Sequence, residues 1–213
     1  MATNQRTSAE PLLLPVGHFT GVFPTEHDPR QRIYQVRKGD DLIGLPDAAF
    51  AVWGLCHGRS NQPADQPWTR TAVLTAAENG GVDDVGRLLR ELVNDDLASE
   101  VVPGSRQAIG FAQAYRLCPT LLGLGNSAKD PGTYEIGLFG TPMLQVSRNI
   151  FEVWRWAPVT RNLWEVCQLF TEAERTHGET NPESVDPEVV LTGVLGALHG
   201  LFTAGAAYLD VTE

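Results

Sequence analysis

The spacing of apolar residues changes from strand-like to helix-like in the same order at two places in the chain. Residues 32–46, "RIYQVRKGDDLIGLP", contain two short runs of β-forming residues around a turn at Gly39, which predicts a hairpin. The next segment, "DAAFAVWGLCHG", has apolar residues at helical spacing and stops at Gly58, which predicts a helix. Residues 133–157, "TYEIGLFGTPMLQVSRNIFEVWRWA", repeat both elements. The chain therefore contains an internal repeat.

The two copies align without a gap over residues 33–55 and 134–156, at a shift of 101 residues. The identical pairs are Gly39 with Gly140, Phe50 with Phe151, Val52 with Val153, and Trp53 with Trp154. A Phe or Trp side chain buries ~150–250 Å². We therefore interpret these aromatic residues as the contribution of the first helix to two separate small cores.

Two further helices are predicted in each copy. The second helices open at Thr69–Arg70 and Thr160–Arg161. The third helices share an apolar stripe with the spacing i, i+3, i+4, i+7, formed by Val85, Leu88, Leu89 and Leu92 and again by Leu191, Val194, Leu195 and Leu198. A hairpin followed by three helices is the element order of a winged-helix module. The sequence therefore predicts an α+β fold made of two tandem winged-helix modules.

This interpretation divides the chain into four parts. Residues 1–30 are an N-terminal arm, 31–118 the first module, 119–133 a linker or extended strand, and 134–213 the second module. The arm contains "LPVGHFTGVFP", whose mixture of apolar residues and glycine is typical of an edge strand. The stretch from Phe111 to the turn near Pro131 is predicted to be extended and to pair with the hairpin of a neighbouring module.

Charge and cysteine content limit the environment and the partners. The chain has 16 Lys and Arg against 26 Asp and Glu, a formal net charge of -10. Such a surface repels phosphate backbones, so nucleic-acid binding requires a local basic face. Cys56, Cys118 and Cys167 have no metal-ligand or redox spacing, which indicates buried thiols in a reducing compartment. The four-residue apolar run near the N-terminus is too short for a signal peptide, so we expect a cytoplasmic protein.

The segment Val189–Leu209 has no formal charge and could nominally cross a bilayer. Its glycines, His199 and lack of basic flanks favour a buried or interface helix without membrane contact. Small residues recur along it at helical spacing: Gly193, Gly196, Gly200 and Ala204. Each interior glycine costs ~1 kcal/mol relative to alanine. We therefore expect another helix to approach this face, from the first module, from a second subunit of a homodimer, or from a partner protein.

The run "GLPDAAFAVWGLCHG", with "DDVGRLLRELVNDDLASEV" downstream, resembles the PqqD-like family, also called RiPP recognition elements. These are small winged-helix domains that bind the leader segment of a peptide being modified. The likeness covers about a third of the chain and rests on Leu55, Cys56, Gly58, Asp84, Val85, Leu89, Leu92 and Leu97. The family usually has an acidic residue at the position of His57, and the second copy ends "WRWAPV" without the Leu-Cys-x-Gly motif.

The resemblance implies that an extended peptide adds as a strand beside the hairpin and rests its side chains on the third helix. Main-chain hydrogen bonds give such a complex affinity, and pockets for side chains give selectivity. In this chain the groove would lie between Ile33–Val36 and the helix that carries Arg87 and Arg90. The candidate peptide-binding residues are Ile33, Tyr34, Val36, Arg87 and Arg90.

Signatures of catalysis are not found in the sequence. "LGLGNSAKDPG" does not have Walker spacing, and the adjacent Cys56 and His57 diverge by about 100° on a helix. The histidines have no ligand partners at a recognisable spacing. We therefore expect a non-enzymatic protein without a cofactor or a metal, an adaptor that binds a peptide or protein.

The alternative is a winged-helix transcriptional regulator that binds DNA. The first recognition helix in this interpretation has more acidic than basic residues, and its counterpart, "PEVVLTGVLGALHGLF", has no basic residue. A helix in the major groove needs cations for phosphate and donors for guanine. DNA binding would then depend on the cations of the arm and hairpin: Arg30, Arg32, Arg37 and Lys38.

Overall fold

The computed structural model describes residues 10–25, 31–60 and 66–212, and the same order of elements occurs twice in them. The first unit contains β1 (Leu12–Pro15), β2 (His18–Pro24), β3 (Arg32–Lys38), β4 (Asp41–Leu45), α1 (Asp47–Leu55), α2 (Arg70–Asn79), α3 (Val85–Asn94) and β5 (Ala98–Val101). Helix α4 (Arg106–Ala114) follows it. The second unit contains β6 (Tyr115–Pro119), β7 (Leu122–Ser127), β8 (Asp130–Leu138), β9 (Thr141–Ser147), α5 (Arg148–Trp156), α6 (Leu163–Thr176), α7 (Pro182–Val185), α8 (Pro187–Thr203) and β10 (Ala207–Val211).

The α+β class is confirmed. Each unit has a three-stranded antiparallel sheet, ordered β2-β3-β4 or β7-β8-β9, and a two-stranded antiparallel sheet that joins its first and last strands, β1-β5 or β6-β10. Three main helices follow the three-stranded sheet in each unit. The assignment of the units to the winged-helix class stays a prediction.

The strand pairs cross the predicted module boundaries. Residues 12–24, predicted as an arm, form β1 and β2, and these strands pair with β5 and β3 of the first unit. The predicted linker, 119–133, contains β7, which pairs with β8 of its own unit. An isolated two-stranded hairpin is marginally stable in water, and the third strand covers one of its edges.

Two predicted extended or helical stretches differ from the structure. Residues 111–114, predicted as extended, belong to α4, whose N-terminus is capped by Ser105. The predicted helix Val189–Leu209 ends at Thr203, because Gly205 takes a positive φ of 65° and reverses the chain into β10. Within residues 10–25, 31–60 and 66–212, no helix has both the length and the apolar character needed to span a bilayer.

The aromatic pairs between sheet and first helix correct the alignment of the repeat. The ring of Tyr34 lies 4.2 Å from that of Phe50, and the ring of Tyr134 lies 4.8 Å from that of Phe151. Phe50 and Phe151 are 101 positions apart, but the two tyrosines are 100 apart. The gapless alignment is therefore wrong by one residue at β3 and β8.

The extra residue lies in β9. Leu144 pairs with Ile136, and the next pair along the ladder joins Pro142 to Gly137, which leaves Met143 without an opposite residue. Such a β-bulge restores the register beyond it. The second hairpin can therefore carry one more residue than the first and still place its tyrosine against the helix.

The predicted core stripes of α3 and α8 are confirmed, since all eight of their apolar residues are buried. Trp53 and Trp154 are buried as well, and their indole N–H groups bond to backbone carbonyls of Val16 (3.2 Å) and Ala206 (2.9 Å). Val16 adjoins β1, and Ala206 adjoins β10. Each repeated tryptophan thus ties the first helix of its unit to the two-stranded sheet.

Strand β1 contributes side chains to both hydrophobic cores. Leu13 is fully buried in the core of the first unit. Leu12 and Leu14 point the other way, because side chains alternate along a strand, and they belong to the core formed mainly by α4 and the second unit. The two cores therefore meet at β1.

A buried carboxylate joins the first hairpin to the last strand. The Asp210 side chain is fully buried and accepts hydrogen bonds from Arg37 Nη1 (2.9 Å) and the Gly39 amide (2.7 Å). Arg116 Nη2 lies 3.6 Å from the same carboxylate, and Arg37 also donates to the Tyr208 hydroxyl. The two units are thus linked by a charged contact in addition to the apolar one.

Candidate peptide-binding groove

Within the described residues, strand β9 is an edge strand, paired with β8 on one side only. In an antiparallel pair, alternate residues direct their N–H and C=O groups away from the partner strand. Five consecutive residues of β9, 143–147, border a groove of about 800 Å³. Residues of one sheet face alternate along a strand, so a consecutive run indicates that the edge of β9 faces the groove.

Helix α8 forms another side of this groove through its small residues. Gly196, Gly200 and Ala204, three of the four predicted interface residues, line it. Gly193 is exposed on the same helix but does not border the groove. Apart from their chain neighbours and the local helix backbone, no described heavy atom lies within 4 Å of the position that a Cβ atom would take at Gly193, Gly196 or Gly200. The small-residue face is therefore open within the described part of the chain.

Helix α8 does pack on the first unit, but with other residues. His199 Nε2 donates to the carbonyl of Leu13 at 2.9 Å, because a carbonyl only accepts. A Cβ atom on Gly58, at the end of α1, would lie 3.2 Å from Thr203 and 3.4 Å from His199. The first unit thus approaches α8 at His199 and Thr203, and not at the α8 glycines 193, 196 and 200.

The first unit supplies the remaining wall, from the segment after α1. Trp68 is buried and donates from Nε1 to the carbonyl of Leu55 at 2.7 Å. The guanidinium of Arg59 lies over the Trp68 ring, 5.6 Å from its centroid. The groove therefore exists only where the two units meet.

Titratable groups at this junction are held neutral by burial. Desolvation lowers the pKa of His57 to about 4 and also lowers the pKa of His199. It raises the pKa of Cys56 to about 12, so this thiol is not a thiolate at neutral pH. Among the described residues that line the groove, Arg59 alone carries a formal charge at pH 7. The described lining of the groove is therefore mostly neutral and apolar, with one cation.

The structure corrects the predicted site on the first hairpin. Ile33, Tyr34 and Val36 lie in β3, the central strand, whose two edges are occupied by β2 and β4. A peptide strand cannot be added to these residues, and Val36 is fully buried. Among the residues that the structure describes, the unpaired edges of this sheet belong to β2 and β4.

The predicted helix residues are also distant from the groove lining. Arg87 and Arg90 lie on the exposed side of α3, and Arg87 pairs with Glu91 at 2.8 Å. Neither borders the groove. The groove is instead bordered by residues of β9 and α8 in the second unit.

Two of the four cations considered for DNA binding make contacts inside the molecule. Arg37 bonds to Asp210, and Lys38 donates to the carbonyl of Asp95 at 2.6 Å. Arg32 is exposed, and Arg30 lies outside the described residues. The cations of the first hairpin are thus partly engaged in joining elements of the fold.

Comparison of the chain with protein-family models, with curated proteins and with solved structures gives no match in any of the three.

Proposed function

We propose that this protein is a non-catalytic adaptor that binds an extended segment of a partner protein by strand addition to β9. The observation that carries the proposal is the unpaired edge of β9, which borders the groove over residues 143–147. Unpaired N–H and C=O groups on a strand edge are a template for another strand. A five-residue strand spans roughly 17 Å, which sets the length of the bound segment.

The two sides of an added strand would meet different surroundings. Side chains on the inner face would lie beside Leu144 and Val146, which are partly buried against the core, and near Ile150. The glycines of α8 leave room for them, because no side chain projects there. A volume of about 800 Å³ is within the ~300–1,000 Å³ typical of ligand sites.

The test begins with a random-peptide display library selected against the full chain, followed by fluorescence anisotropy of labelled binders. Gly196→Leu places a side chain into the groove from α8, and its Cβ position is open, so the fold accommodates it. We expect this variant to lose at least tenfold in affinity, because the added side chain occupies the ligand volume.

Gly193→Leu is the matched control. It makes the same change on an exposed face of the same helix, outside the groove, and should bind peptides like the wild type. Selection that yields no binder, or equal affinity of the Gly196→Leu and Gly193→Leu variants for the selected peptides, would overturn the proposal.

A further inference from the structure

We infer that the segment bound beside β9 carries a carboxylate among apolar side chains, and that Arg59 selects it. This inference rests on the proposed function. It concerns the chemistry of the ligand, which the open edge of β9 alone does not determine, since main-chain pairing tolerates most sequences.

Arg59 is placed to receive an anion. Its guanidinium carbon lies over the Trp68 ring, 5.6 Å from the centroid, and Trp68 is itself buried and held by a hydrogen bond to Leu55. The contact with an aromatic face uses none of the guanidinium N–H donors, whose fork matches a carboxylate. Within the described part of the chain, no carboxylate oxygen lies within 4.0 Å of its nitrogens.

Glu10 is a described carboxylate that could compete for Arg59, because both residues line a smaller cavity. Its carboxylate is engaged elsewhere. Hydrogen bonds from Thr71 and Thr69 lower the pKa of Glu10 and hold its charge at the start of α2. Arg59 therefore keeps its charge available to the groove.

The charge of the groove is opposite to that of the molecule. The chain has a formal net charge of -10, yet the described lining of the groove has one cation and no anion. At physiological salt the field of distant charges decays over roughly 8 Å. Inside the groove, the electrostatic preference for a ligand is therefore set by Arg59 and not by the net charge of the molecule. The rest of the lining is mostly apolar, including Leu12, Pro67, Leu144 and Ile150. An acidic and apolar segment complements this lining, whereas a basic segment is attracted only to the outer surface.

The experiment compares display selections on the wild type, on Arg59→Gln and on Arg59→Glu, all as full chains. Wild-type binders should be enriched in Asp or Glu at one position next to apolar residues. The Arg59→Glu selection should lose this enrichment and gain Lys or Arg at that position. An acidic binder from the wild-type selection should bind Arg59→Gln roughly tenfold more weakly, the order expected for the loss of one hydrogen bond to a charged group.

Arg90→Gln is the control, because it changes the net charge equally at an exposed residue outside the groove. It should leave the affinity of the same peptide unchanged. Binders without acidic enrichment, with equal affinity for wild type and Arg59→Gln, overturn the inference and leave the proposed function standing. An absence of binders, or an indifferent Gly196→Leu variant, overturns the proposed function itself.

Discussion

The imidazole of His57 lies between aromatic rings from both units. Its ring centroid is 4.5 Å from that of Trp53 and 6.2 Å from that of Phe202. Nδ1 contacts the carbonyl of Trp53 at 3.2 Å. The nearby His199 also disfavours a positive charge on His57 and so lowers its pKa. Burial here opposes protonation, so the state of one side chain is coupled to the docking of the two units.

This burial predicts loss of stability in mild acid. His57 has a pKa of about 4 in the folded protein and about 6.5 when exposed, so between these values the unfolded chain binds more protons. The contribution of His57 is complete above about pH 6.5 and declines as the pH falls toward 4, by up to roughly 3 kcal/mol. Urea unfolding at about pH 7, 5.5 and 4.5 measures it.

His57→Gln removes the titrating group and keeps an N–H donor for the Trp53 carbonyl. This variant should show a smaller decline of unfolding free energy over the same range than the wild type. His177→Gln, an exposed histidine at the end of α6, should keep the wild-type decline. If the His57→Gln and His177→Gln profiles coincide, the buried imidazole is not the source of the acid sensitivity.

At the scale of elements, α8 is a helix weakened by its own glycines. Ala at Gly193, Gly196 or Gly200 enters open space and should raise the free energy of unfolding by about 0.5–1 kcal/mol each, because alanine restricts the unfolded chain and favours the helix. Thermal and urea unfolding check the values. A destabilised variant, accompanied by a change of mass in light scattering, would instead show that a second copy packs closely on this face.

The elements that could be predicted from the sequence are those with a local period. The stripes of α3 and α8 and the repeated Trp53 and Trp154 lie within single helices, so spacing alone identifies their buried faces. The pairing of β1 with β5 joins Leu12 to Val101, and no local pattern encodes a contact over that separation. The bulge at Met143 was missed for the same reason, since it shows only when β8 and β9 are paired.

The candidate site was predicted in part. The small-residue face of α8 is visible as a period of glycines, and three of its four residues line the groove. The sequence predicts that the peptide adds beside β3, but the structure pairs β3 on both sides. The sequence of a hairpin does not reveal which of its two strands a third strand covers. Arg59 and Trp68 stand in a polar part of the sequence, and they come to border the groove only because the two units dock, which is a tertiary property.

At the scale of the whole molecule, Asp210 is the charged contact between the units. Asp210→Ala leaves Arg37 without its carboxylate at a site where the aspartate side chain is fully buried. We expect a loss of about 3 kcal/mol in unfolding free energy, the lower end of the range for breaking a buried pair, because Arg37 is 31% exposed. Urea unfolding measures this loss.

Arg87→Ala breaks an exposed pair with Glu91 and serves as the control, with an expected change below about 1 kcal/mol. Equal effects of the two substitutions would mean that the Asp210 contact contributes no more than a surface ion pair.

Strand β1 also has a consequence for the way the protein folds. Leu12 and Leu14 are buried in a core that contains Leu195 and Leu209, more than 180 residues further along the chain. Contacts over such a separation require closure of a long loop, which slows folding. Until α8 and β10 dock, these leucines belong to an exposed apolar strand, and such strands favour aggregation.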